Sequence, residues 1–270
     1  MNRLAPLLAA VALLAAGCDT YHFLAGTWRE DSGHPVEALK HYEKFLAALP
    51  KDPRACEVDL RAAAIYRDFG RCEEARRDLE AAARNFPRQP ECVRRAKQAL
   101  LSCPDYFPLD RGRTWVYGDT ASKGRAMHEE WEVRRATGPG DGTVLESLFA
   151  GDRRIRVDRT RYRKEDWAVW RGTGAAREPI LRYPFGAGQT WSGRRGKYLV
   201  EWTIVSANET VKTPAGDYKG CLKVKEYDHR VRGAWRYDYY CPGVGRVMTT
   251  VGGPGFENPS TELLRFDKMD

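Results

Sequence analysis

The sequence predicts an α+β chain, with helical hairpins first and an antiparallel sheet after them. Three observations carry this. Six helix-packing markers recur 37 residues apart between residues 26 and 87. Helical periodicity stops at Pro104, where aromatic and β-branched residues begin to alternate with Arg, Lys and Glu. Residues 219–241 fold back about Val231 as a hairpin with matched partners. A length of 270 residues suits about two domains. The boundaries read as a leader over 1–17, a helical domain over 18–104 and a β domain over 105–270.

The leader has Arg3, then an apolar run ending Leu13-Leu14-Ala15-Ala16-Gly17, then the polar stretch Asp19-Thr20-Tyr21-His22. That is the layout of an export signal. The 14 residues of the run, 4–17, fall short of a membrane-spanning helix, which needs roughly 20. Cys18 directly after Ala-Ala-Gly resembles the lipobox of a bacterial lipoprotein, with Ala15 where Leu is usual and Leu14 one place earlier. The resemblance implies cleavage before Cys18, acylation of its thiol and new amine, and anchoring in the bacterial cell envelope, facing the periplasm or the cell surface.

The formal charge is +8, or +7 once Arg3 leaves with the leader (8 − 1). Such a surface attracts anionic lipid or glycan, or is a solvated Arg-rich face. Export argues against nucleic acid as a partner. Removing Cys18 from the seven cysteines leaves six, an even set for an oxidising compartment. Six cysteines allow about 15 pairings.

Residues 21–103 read as helices. Gly26, Gly33, Ala38, Tyr42, Phe45 and Pro50 are matched by Ala63, Gly70, Ala75, Leu79, Ala82 and Pro87. Small residues let antiparallel helices approach, Gly supplies the left-handed turn and Pro ends the second helix. The layout resembles a tetratricopeptide repeat, with three extra residues accommodated by Pro50-Lys51-Asp52-Pro53. Cys92, Ala96, Ala99 and Cys103 make one stripe on a final helix, 91–103, that caps the array. In such arrays successive first helices lie side by side, so Cys56 faces Cys92, and Cys72 lies beside Cys103. Each bridge is worth roughly 3 kcal/mol in the chain-entropy model.

Strands are expected at 114–119, 126–136, 143–149, 153–162, 166–171, 198–212, 219–228, 234–241, 245–251 and 261–267. Pro108, Gly112, Thr114 and Trp115 recur as Pro184, Gly188, Thr190 and Trp191, a turn that leads into a strand whose Trp enters the core. In the hairpin about Val231, Lys223 meets Tyr239, Lys225 meets Tyr237 and Glu226 meets Arg236. Cys221 meets Cys241 within disulfide reach. Pro214-Ala-Gly through Cys221, then Tyr239-Tyr-Cys-Pro-Gly-Val-Gly245, is similar to a recurring pattern of bacterial envelope β domains of unknown function. That resemblance covers roughly residues 106–267 and implies a curved antiparallel sheet.

No catalytic set emerges. His34 and His41 read as surface residues, and His128-Glu129-Glu130 lacks the second His of a zinc-hydrolase helix. There is no Gly-x-Ser-x-Gly elbow and no phosphate loop. Glu129, Glu130 and Glu132 are a weak hydrolase signal, since strand faces often carry such residues. No metal or cofactor is expected. The basic run Arg153–Lys164 is the candidate anionic surface, with Arg154, Arg156, Arg159, Arg161 and Arg163 as its contacts, or else a strand kept soluble by charge.

The expected function is a lipid-anchored, non-enzymatic envelope scaffold whose helical repeats dock an envelope protein partner. The alternative is a carrier of lipid or hydrophobic ligand in a concave β domain, and an envelope hydrolase ranks third.

Overall fold

Residues 20–138 and 140–267 are described by a computed structural model, which divides between Cys103 and Pro104 into two units. The leader and Cys18 lie outside the described residues.

Among the described residues the first unit holds five short helices: α1 over 20–31, α2 (Pro35–Ala48), α3 (Ala55–Asp68), α4 (Cys72–Asn85) and α5 (Pro90–Leu100). Gly33 and Gly70, at φ +77° and +71°, make the turns before α2 and α4. At Gly26 a Cβ would sit 2.5 Å from the Tyr42 ring, so only glycine lets α1 lie this close to α2. Disulfides join Cys56 to Cys92 and Cys72 to Cys103, tying α3 to α5 and the start of α4 to the end of the unit.

The second unit is one antiparallel sheet of twelve strands: β1 (Thr114–Asp119), β2 (Met127–Gly138), β3 (Asp141–Ala150), β4 (Arg153–Glu165), β5 (Ala168–Arg171), β6 (Glu178–Arg182), β7 (Thr190–Arg195), β8 (Tyr198–Thr213), β9 (Gly216–Asp228), β10 (Trp235–Cys241), β11 (Gly245–Gly253) and β12 (Phe256–Asp267). Their order is β6-β5-β4-β3-β2-β1-β12-β11-β10-β9-β8-β7. Every pairing joins chain neighbours except β1 with β12. Register shifts at seven of the pairings bend and twist the strands toward closure.

These strands correct the fold class. The expected α+β chain, tetratricopeptide-like hairpins followed by a curved antiparallel sheet, gives way to a mostly β chain whose sheet is a near-closed barrel. Two strands given no bounds in the sequence expectation, β6 and β7, the second marked there only by the turn before Trp191, make the difference. They are the two edges of the sheet, and they meet. The Trp191 indole N–H donates to the Pro179 carbonyl at 2.7 Å, and Arg195 pairs with Glu178 at 2.8 Å. Pro179 has no N–H for a ladder, so side chains make this seam. A Cβ at Gly193 would lie 2.9 Å from the Pro179 ring, so glycine is what allows the approach.

The Pro–Gly–Thr–Trp echo builds the same device twice. Gly112 and Gly188, at φ +83° and +87°, donate their N–H groups to Val133 and Ile204 of the next strand. Trp115 then pairs across the ladder with Trp131, and Trp191 with Trp202. Both leading indoles donate to backbone carbonyls at 2.7 Å, of Val244 and of Pro179. These four Trp side chains, with Val133, Val144, Val200, Ile204, Leu222 and Val224, form the barrel core.

β9 and β10 pair with Glu226 opposite Arg236, Lys225 opposite Tyr237, Lys223 opposite Tyr239 and Leu222 opposite Tyr240. Cys221 is bonded to Cys241 just beyond.

Candidate binding site at the mouth of the barrel

The two ends of the barrel differ in chemistry. At one end the segment leading into β1 packs inward: the Phe107 ring lies 4.7 Å from Tyr162, and Tyr106 and Leu109 join the same core. Lys164 holds this segment through Asp105 at 2.6 Å, and Gly243 N–H bonds the Asp105 carbonyl. A cavity lined by Phe107, Trp115, Tyr117, Trp131 and Val144 measures about 10 Å³, room for about one water.

The other end is a charged mouth. Strand alternation turns Glu146, Arg171, Glu178, Arg195, Glu226, Arg236 and Asp238 to the inside, where apolar residues stand lower down. Arg171, Glu178, Arg195 and Arg236 each stand at or next to a strand end there. They form one chain of ion pairs. Glu146 and Glu178 lie 3.6 and 3.7 Å from Arg171, and Glu178 lies 2.8 Å from Arg195. Glu226 accepts from Arg195 at 2.9 Å and from Arg236 at 2.9 Å, and Arg236 reaches Asp238 at 2.9 Å. Neutral donors complete the acids: Tyr162 on Glu146, Trp202 on Glu226 and Thr249 on Asp238. Deeper in, Arg246 lies over the Tyr117 and Trp131 rings and pairs with Glu129 at 3.4 Å.

Burial opposes the charge on Arg195, but the carboxylates of Glu226 and Glu178 outweigh it and hold its pKa above the ordinary value. Asp238 does the same for Arg236. Burial pushes the Tyr240 and Tyr162 hydroxyls up, so both stay neutral, Tyr162 as the donor to Glu146. The guanidiniums are permanently charged.

Exposure separates the two kinds of group. The side chains of Glu146, Glu178, Glu226 and Asp238 are 10% exposed or less, whereas Arg171 is 39% and Arg236 36% exposed. The acids back the arginines, and the arginines meet solvent. Arg171 differs from the rest. Its ion-pair contacts exceed hydrogen-bond length, and among the described residues it has no hydrogen-bond partner. Its planar fork suits a carboxylate or phosphate.

The candidate residues read from the sequence fall elsewhere. Arg154, Arg156 and Arg159 lie on the outer half of β4, where both faces are exposed. Arg156 pairs with Asp158 at 2.8 Å. Arg161 and Arg163 are drawn to Asp141 at 2.6 and 3.6 Å. Of the three glutamates, Glu129 turns inward to Arg246 and Glu132 pairs with Arg134. His22 and His41 meet at 3.0 Å, His128 stacks on Phe149, and His229 pairs with Glu201. Among the described residues no group of three or more His, Cys, Asp and Glu is placed to hold a metal ion, and no helix is long and apolar enough to cross a membrane. The mouth residues were missed because charge on a strand reads as the solvent face. Glu226 and Arg236 did carry a signal, since they share a face with Leu222 and Tyr240.

Fold and site together define an up-and-down antiparallel β barrel, closed by side chains along one seam and lined with charge at one mouth. No protein-family model matches the chain, and no curated protein sequence does. Among solved structures, a protein described as exported, with a YmcC-like fold, from Bacteroides fragilis NCTC 9343 is similar at a TM-score of 0.42 and 18% identity, over 60% of this chain and 98% of that one. A protein described as a lipoprotein from Parabacteroides distasonis ATCC 8503 has a TM-score of 0.39 and 16% identity, over 60% and 98%. A β-barrel-like protein of the domain of unknown function DUF1849, from Brucella abortus, has a TM-score of 0.32 and 9% identity, over 61% and 100%. At these scores none of the three bears on function here.

Proposed function

We propose that the chain is a non-enzymatic binding protein of the bacterial cell envelope, anchored through Cys18, whose barrel takes a small ligand bearing a carboxylate or phosphate at the mouth. The observation that carries this is Arg171, solvent-reached and without a hydrogen-bond partner among the described residues, beside Arg195 and Arg236, which hydrogen-bond acids. Glu178 and Glu146 hold the fork in place, and the ligand acid completes it. Three disulfides fit an oxidising compartment, in line with the export leader. This reading replaces docking by the helices and keeps the barrel as the binding part. It favours a polar acid as the ligand, because the side chains gathered at the mouth are charged.

The test is thermal unfolding of the full-length chain with succinate, citrate and glycerol 3-phosphate against their neutral amide or alcohol counterparts. An acid present at 100 times its Kd stabilises by about 2.7 kcal/mol, and Arg171→Gln abolishes the shift. No stabilisation by any acid, or an equal shift in R171Q, rejects the proposal.

A further inference from the structure

The hairpin turns at the mouth have a composition that the turns at the other end lack. Outside the strands, the six mouth turns carry Lys123, Arg125, Arg177, Lys197, Arg230 and Arg232 against one acid, Asp152. The turns between strands at the other end carry a single charge, Asp166. Arg177 and Arg230 are ion-paired to Glu165 and Asp228, and among the described residues the other four cations make no ion pair. Like charges gathered on one rim give that rim a positive potential.

Three of the mouth turns are neighbours around the barrel: β7–β8, β9–β10 and β11–β12. Their apolar side chains face solvent. Tyr198, Leu199, Val231, Val251 and Phe256 are 39 to 51% exposed. Cations flank them in sequence, as Lys197-Tyr198-Leu199 and Arg230-Val231-Arg232. The turns are tied together: His229 N–H donates to the Leu199 carbonyl, and the Arg230 guanidinium sits 5.1 Å from the Tyr198 ring centre. Among the described residues Lys197 and Arg232 make no ion pair, so both charges are available to a partner.

Apolar tips beside unpaired cations match the layering of a phospholipid interface. Short apolar side chains enter the boundary between headgroups and acyl chains, and Lys and Arg reach the phosphates. A protein partner would be expected to offer acids and a shaped apolar pocket. A bilayer needs only the sign of charge and a line of tips, which is what these turns present.

We propose that this rim rests on an anionic phospholipid surface, with Leu199, Val231 and Phe256 in the headgroup layer and Lys197 and Arg232 on lipid phosphates. The contact is separate from ligand binding at Arg171 and does not rest on it. It turns the mouth of the barrel toward the bilayer.

The test is amide hydrogen exchange of the full-length chain in nanodiscs of phosphatidylcholine, with and without phosphatidylglycerol. Segments 196–199 and 229–234 exchange more slowly on the anionic discs, while the turns at 183–189 and 242–244 exchange equally on both. Lys197→Gln with Arg232→Gln lowers that protection on the order of tenfold. High salt removes it, since the Debye length falls to about 3 Å at 1 M. Leu199→Ser with Phe256→Ser weakens it without changing the thermal midpoint. R171Q leaves it intact, which separates this surface from the ligand site. Equal exchange on the two kinds of disc overturns the proposal, as does protection at 183–189 instead. Equal protection by soluble heparin without a bilayer also overturns it, by assigning the surface to a polyanion.

Discussion

Asp59 should make the helical unit lose stability as pH rises, and Asp59→Asn should remove that loss. Asp59 on α3 is 5% exposed and lies near Asp78 on α4. Burial, and then the Asp78 carboxylate, push its pKa from 3.8 to about 7. The folded unit therefore holds a proton that the unfolded chain has released between those values. The stabilisation is fully present below the unfolded pKa and is lost as pH rises through the folded one. At 1.36 kcal/mol per unit, the full span is about 4 kcal/mol, and about 3 of it falls between pH 5 and pH 8. Asp78 is also raised by burial and adds a loss of the same sign. The assay is urea unfolding of the full-length chain at pH 5, 6, 7 and 8, followed by helix ellipticity at 222 nm. Relative to wild type, D59N should gain about 3 kcal/mol from pH 5 to pH 8, roughly 10–20 °C in Tm for a unit of this size. Parallel pH profiles for the two proteins would refute the reasoning.

Three further outcomes test the barrel. Gly193→Val puts atoms into the Pro179 ring and the Trp202 indole. It should cost about 1–3 kcal/mol and raise the exchange of β6 and β7 amides; unchanged exchange there argues against the seam. Arg195→Leu takes one of two cations from each of Glu178 and Glu226 and should cost about 3–5 kcal/mol in denaturant unfolding, so a loss under 1 would mean the ion-pair chain is idle. Replacing both Cys221 and Cys241 by Ala opens a loop with a sequence separation of 20. Guanidinium unfolding should report about 3 kcal/mol lost, and no loss would contradict a constrained hairpin.

Parts of the fold were legible because they are local. The register of β9 on β10 follows from paired residue types symmetric about Val231. The Pro–Gly–Thr–Trp echo marks a turn and an inward Trp at both of its occurrences. Other parts were hidden for physical reasons. β6, Glu178-Pro-Ile-Leu-Arg182, has a proline where a ladder donor belongs, and β7 carries Gly193 in a six-residue run. Both weaken a strand signal in any sequence window. Their pairing is decided by the accumulated twist of ten other strands, which no window contains. The charged mouth was hidden because polar residues in alternation read as facing water outside the sheet. Inside a barrel end that water reaches, the same alternation points charge inward. The helical markers correctly flag close packing, as Gly26 against Tyr42 shows, but packing of that kind does not establish a repeat family.

The seam has a consequence for self-association. A long antiparallel sheet presents two unpaired rims, each a template on which another polypeptide can add strands. Here each rim is shielded by the other, and each is also a poor template if the two part. Pro179 offers no donor, while Arg194 and Arg195 put adjacent positive charges beside Gly193. Opening along this line would therefore yield a parted monomer rather than a growing fibre. The residues that forbid a continuous ladder at closure are the same ones that keep neighbouring molecules from supplying it.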